Sequence, residues 1–69
     1  MTQNINLTAG HNYIVTSAGN VSSVTLSGNT LTITNDSSID VIDLGTGSRT
    51  GGAIVLLISP EGVQSILHG

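Results

Sequence analysis

An all-β fold is what this sequence predicts, and three observations predict it. Val, Ile, Leu and Thr alternate with small polar residues along most of the 69-residue chain, the period-2 pattern of half-buried strands. Glycines punctuate these runs, and no window of a dozen residues holds a helical period free of glycine or β-branched residues. The one wholly apolar run, Ala53-Ile54-Val55-Leu56-Leu57-Ile58, has the length of a strand. We therefore expect a single domain over residues 1–69, a small antiparallel meander, sandwich or barrel of about seven short strands. A short β-helix is the alternative.

Taken in order, Asn4 to Thr8 reads as a strand with Ile5 and Leu7 on one face, and Ala9-Gly10-His11-Asn12 as a turn. Tyr13 to Thr16 is a second strand, Ser17-Ala18-Gly19-Asn20 a second turn, and Val21 to Ser27 a third strand with Val24 and Leu26 on one face. The next segment is the strongest local signal. If Gly28-Asn29 is a two-residue hairpin loop, Ser27 pairs with Thr30, Leu26 with Leu31, Thr25 with Thr32 and Val24 with Ile33. Apolar then meets apolar and Thr meets Thr, and a one-residue slip destroys the match. Gly10, Gly19 and Gly28 recur at intervals of nine, which fits strands joined by glycine turns, each returning beside the last.

Asn35 to Ser38 reads as a loop. Ile39 to Leu44 reads as a strand whose apolar face switches between Val41 and Ile42, which suggests a bulge there or a crossing between two packing surfaces. Gly45 to Gly52, with four glycines in eight residues, packs no core. Ser59-Pro60-Glu61-Gly62 has the residues of a type I turn, and Val63 to Leu67 returns as a last strand, with a short terminal helix the lesser alternative.

Composition narrows the function classes. Arg49 is the only basic residue, against Asp36, Asp40, Asp43 and Glu61. Nucleic acid needs several phosphate contacts from cations, and an anionic membrane needs a basic patch, so neither is expected as a partner. Cysteine is absent, which removes disulfides and thiolate metal sites. No cofactor is expected. The polar start Met1-Thr2-Gln3-Asn4 lacks the pattern of a secretory leader, so synthesis in a cytoplasm is expected.

The chemical motifs fail on inspection. The Gly45–Gly52 loop follows a strand, but a phosphate loop needs Gly-Lys-Ser/Thr and a helix after it. The chain has no lysine, and a strand follows. Asp36, Asp40 and Asp43 do not have the spacing of a calcium loop. No Ser-His-Asp set stands out, and His11 and His68 lie near opposite ends. No enzyme activity is expected.

What remains is the apolar run. Val55 and Leu57 should face one way and Ile54, Leu56 and Ile58 the other. A chain this short has little material to cover both faces. We expect an interface carried by Ile54, Val55, Leu56, Leu57, Ile58, Val63, Ile66 and Leu67. Arg49, the one cation, is a candidate for an ion pair with a partner.

The run from Asn4 to Val15 and the Ser27-Gly28-Asn29-Thr30-Leu31-Thr32-Ile33-Thr34 stretch resemble small bacteriophage virion proteins: capsid decoration (cement) proteins and segments of tail fibres. The resemblance implies a virion structural protein, made in the host cytoplasm, that forms a homotrimer or other ring. Its further partner would be a major capsid protein or another virion protein. A decoration protein on the phage head is the expectation; a tail, fibre or baseplate component is the alternative. A small carbohydrate-binding or ligand-binding β module is the alternative of another class.

Overall fold

The computed structural model describes residues 1–46 and 51–69. Its described residues form seven strands and no helix. They are β1 (Thr2–Asn6), β2 (His11–Ser17), β3 (Val21–Ser27), β4 (Thr30–Asn35), β5 (Ile39–Thr46), β6 (Ile54–Ser59) and β7 (Gly62–His68). They make two sheets, one of three strands in the order β1-β4-β3 and one of four in the order β5-β2-β6-β7. Neither sheet closes into a barrel, and the two pack as a sandwich around one core.

The core alternates as strand geometry requires. Tyr13 and Val15 of β2, Val55 and Leu57 of β6 and the adjoining Ala53 come from the larger sheet, and Leu31 and Ile33 of β4 from the smaller; all are buried. Ile5, Val24, Leu26, Ile39 and Leu67 close its margins. Each fully buried aliphatic side chain contributes about 1.5–3 kcal/mol, and this short list is most of what the chain has. Both β2 and β4 are central strands, flanked on either side.

The β3–β4 hairpin has the expected register, with Leu26 opposite Leu31, Thr25 opposite Thr32 and Val24 opposite Ile33. Gly28 has φ of +59° while Asn29 does not enter positive φ, which is the type II′ arrangement with glycine first. The second hairpin, β6–β7, also forms, with Ser59 opposite Gly62 across Pro60-Glu61; no terminal helix is present.

Three expectations are corrected. The chain is not a meander throughout, nor a β-helix: β1 pairs with β4 and β2 with β5 and β6, so β1→β2, β2→β3 and β4→β5 each cross from one sheet to the other. Pairing is not all antiparallel, because β6 runs parallel to β2. β5 and β6 flank β2 on its two sides, and the end of β5 and the start of β6 both lie at the His11–Asn12 end of β2. The bulge is not at Val41-Ile42, where pairing with β2 is continuous from Ile39 to Asp43. Alternation alone puts those two side chains on opposite faces. The register shifts between Tyr13 and His11 instead, where Gly45 takes φ of +84°.

Polar groups fasten the crossings. The Tyr13 hydroxyl accepts the Thr8 backbone N–H at 2.8 Å, tying the buried ring to the β1–β2 corner in the manner of a tyrosine corner. At the other end of the sandwich, Asn35 donates to Ser17 Oγ at 2.9 Å and accepts from Gln3 Nε2 at 3.0 Å. The Asn35 backbone N–H donates to the Met1 carbonyl and its carbonyl accepts from the Met1 ammonium, so one residue joins β1, β2 and β4.

Candidate interaction surface

The two outer faces of the sandwich differ completely. On the three-stranded sheet the outward residues form the rows Thr2–Thr34–Ser23, Asn4–Thr32–Thr25 and Asn6–Thr30–Ser27. Every member is a hydroxyl or an amide. Thr2 and Thr34 share a 2.9 Å hydrogen bond between their hydroxyls, and Thr32 donates to Asn4 Oδ1 at 3.0 Å. No apolar side chain stands in these rows.

On the four-stranded sheet the same construction gives the opposite surface. Ile42, Ile14, Leu56 and Ile66 stand opposite one another across all four strands. On one side of this aliphatic row lies Asp40–Thr16–Ile58–Val63, and on the other Asn12–Ile54–His68, with Leu44 beside Asn12 on β5. Ile42 is 51%, Leu44 56%, Ile66 61% and Val63 65% exposed. Isolated exposed aliphatics are ordinary; a contiguous patch spanning a sheet is a candidate interaction surface. Among the described residues its ionisable groups are Asp40 and His68, at diagonally opposite corners: Asp40 on β5 at one end, His68 on β7 at the other.

The expected interface residues therefore divide. Ile54, Leu56, Ile58, Val63 and Ile66 are on this outer face. Val55 and Leu57 are turned inward and covered by Leu31 and Ile33 of the chain's own second sheet, and Leu67 packs against the same core. The chain does have material to cover one face of its apolar strand, and the smaller sheet is that material. Ile14, Ile42 and Leu44 belong to the patch and were not among the expected residues. Their signal was parity: Ile14 lies between the inward Tyr13 and Val15, and Ile42 and Leu44 alternate with Val41 and Asp43. Arg49 lies outside the described residues.

Elsewhere the surface holds little chemistry. The described residues form no pocket and no group of three or more His, Asp or Glu that would hold a metal. His11 Nδ1 is 3.0 Å from both carboxylate oxygens of Asp43, and its ring stacks on Tyr13 at 6.3 Å. Asp43 Oδ1 also accepts the Gly45 N–H at 2.7 Å. That backbone bond first, and His11 second, hold the Asp43 carboxyl below its ordinary value. The pair is exposed, and it fastens the bulged end of β5 to β2. Among the described residues no helix is long and apolar enough to cross a membrane.

Comparison with known families, with characterised proteins and with solved structures returns no match for this chain.

Proposed function

We propose that this protein is a non-catalytic structural subunit, a small β sandwich that takes its place in an assembly through the outer face of its four-stranded sheet. The observation that carries this reading is the aliphatic band Ile42–Ile14–Leu56–Ile66, opposed on the other side of the sandwich by a face of Thr, Asn and Ser alone. A free monomer gains nothing from such a band. A subunit that buries it gains roughly 25 cal/mol for each Å² removed from water.

The resemblance to small phage virion proteins supplies the setting. In it the protein decorates the capsid, adding contacts between neighbouring head subunits so that the shell resists internal pressure. Its partners are its own copies and the major capsid protein. Sheet edges and the hydroxyl face are available for the contact with the shell, by backbone pairing and side-chain hydrogen bonds.

The test is the protein content of particles purified from the cell that makes this chain, with heads and tails separated by density-gradient sedimentation. Stoichiometric amounts in the head fraction support capsid decoration. Presence in tails alone moves the role to a tail or fibre component. Absence from both, together with binding on a glycan array, replaces the structural reading with a carbohydrate-binding one.

A further inference from the structure

The two sheets do not match in width. The smaller has three strands and the larger four, so the larger projects by one strand. β3 lies against β7, and β4 sets Leu31 and Ile33 over Val15, Val55 and Leu57 of β2 and β6. β1 is on the far side of β4 from β3 and therefore reaches only as far as the margin of β2. β5 is the strand that projects.

Exposure records the mismatch. Ile39, Val41 and Asp43 of β5 stand opposite Ser17, Val15 and Tyr13 of β2. Those three are buried, so the β5 residues share their inward parity. Yet Val41 is 39% exposed, while Val15 beside it is wholly buried. At the opposite border the inward Leu67 of β7 packs against the core. Val41 lies between Ile39, which also packs on the core, and Asp43, which bonds His11.

β1 is the wall beside this open floor. It pairs with β4 along one side, and its other side is a border of the sheet. The N–H and C=O groups along such a border are a template for one more strand. A strand added there lies about 4.8 Å from β1 and about 10 Å above β5, over Val41. Its inward side chains meet Val41 and Ile5, and its outward ones continue the hydroxyl and amide face from Thr2, Asn4 and Asn6. β1 already holds a strand of that kind on its paired side. Thr30-Leu31-Thr32-Ile33-Thr34 of β4 turns Leu31 and Ile33 into the core and its threonines outward.

A second copy of the sandwich does not fit by presenting its own β1. In a two-fold contact the same surface meets itself. With β1 antiparallel to its counterpart, β5 of each copy projects past β1 and the two β5 strands collide. With β1 parallel to its counterpart, the second copy is turned over, and its Thr2, Asn4 and Asn6 fall on Val41. An extended segment that carries no second sheet of its own meets neither obstacle.

We propose that the border of β1, above the inner face of β5, accepts one extended segment of a partner protein. In that segment aliphatic residues alternate with hydroxyl or amide ones, and its binding completes the smaller sheet to four strands. The mode is strand addition, in which main-chain hydrogen bonds give affinity and alternate side chains give specificity. The inference rests on reading the chain as an assembly subunit and names the way in which one partner is held; it is separate from the outer aliphatic band.

The test uses the full chain, isotope-labelled for NMR, and the peptide Lys-Thr-Leu-Thr-Ile-Thr-Lys, blocked at both ends, which carries the β4 sequence between two lysines. On titration to roughly 1 mM the amides of Thr2–Asn6 and Val41 shift, and hydrogen exchange slows along β1. An analogue with proline at the central threonine has no N–H there for the ladder and does not bind. Val41→Asp, at an exposed position, weakens binding by about tenfold or more, whereas Ile66→Asp on the outer band leaves it unchanged. The proline analogue and the map of shifted amides decide the case even where Val41→Asp fails to fold by circular dichroism. Absence of any shift, shifts confined to β3 or β7, or binding lost in Ile66→Asp overturns the proposal. So does a dimer, seen by sedimentation velocity, that Val41→Asp abolishes and Ile66→Asp does not, because it gives the position to a second copy. A peptide bound by a chain absent from particles sinks the virion role and leaves this inference standing; a chain found in particles that binds no peptide does the reverse.

Discussion

Asn35 and Ser17 hydrogen-bond across the gap between the two sheets, Nδ2 to Oγ at 2.9 Å, with both residues almost wholly buried. Each stands at the inward-facing end of a central strand. There the aliphatic core stops, and the backbone of the crossings supplies polar partners. The Ser17 hydroxyl donates to the Gly19 carbonyl, and Asn35 holds Gln3 and Met1. Asn35→Ala leaves Ser17 and Gln3 without this partner and opens a void, and should cost about 2–3 kcal/mol. Urea denaturation of the single variants and of Asn35→Ala/Ser17→Ala gives the coupling directly. A coupling energy near zero would mean that the bond does not fasten the sheets.

Ser65 is the reverse case. Its hydroxyl is buried opposite Leu57 and, among the described residues, has no hydrogen-bond partner. A hydroxyl kept from water without a bond is a cost. Ser65→Ala should raise stability by about 1 kcal/mol, read as a higher urea midpoint at unchanged slope.

The two faces of the four-stranded sheet should give opposite phenotypes. Leu57→Asp places a carboxylate in the core beside Val55 and Ile33 and should abolish folding. Ile66→Asp on the outer face should leave the circular dichroism spectrum intact and remove self-association. Thr32→Asp, on the hydroxyl face of the other sheet, should change neither. The spectra and native masses of the three variants separate core, patch and inert face.

Acid should act through Asp43. Its folded carboxyl titrates below the ordinary 3.8. Its stabilising contribution is therefore complete above the unfolded value and is lost as pH falls through the folded one. The thermal midpoint should fall as pH drops below about 4, and Asp43→Asn should flatten that limb. An unchanged acid limb in the variant would assign it to other carboxyls.

Much of the fold is legible in the sequence where partners are local. The β3–β4 register follows from matching Leu26 to Leu31 and Thr25 to Thr32, because a slip would turn every apolar side chain to the wrong face. The crossings are not legible. Ser17-Ala18-Gly19-Asn20 has the composition of a hairpin turn, and whether the chain returns beside itself or steps to the other sheet is decided by what the far strands cover. The parallel β2–β6 pair depends on residues far apart in sequence, such as Tyr13 and Val55 by their register, and no local pattern announces it. Half of the candidate surface was legible: strand parity separates Leu56 from Leu57, but only the second sheet shows which of them is already covered. Ser17, Asn35 and Ser59 continue the inward parity of Val15, Ile33 and Leu57. That continuation was the available sign that these polar residues are buried, and a reading that takes Ser and Asn for turn residues passes over it.

The central position of β2 also orders the chain's assembly in time. β2 is the second strand synthesised, but its neighbours are the fifth and sixth. Until residues 54–59 have left the ribosome, β2 has an unpaired edge and Val15 has no Leu57 beside it. The hairpins β3–β4 and β6–β7 close within microseconds, whereas the sheet that unites them waits on contacts distant in sequence, the slow class of folding reaction. A nascent chain halted before β6 therefore holds one formed hairpin and an open aliphatic edge, the condition in which strands of different molecules join.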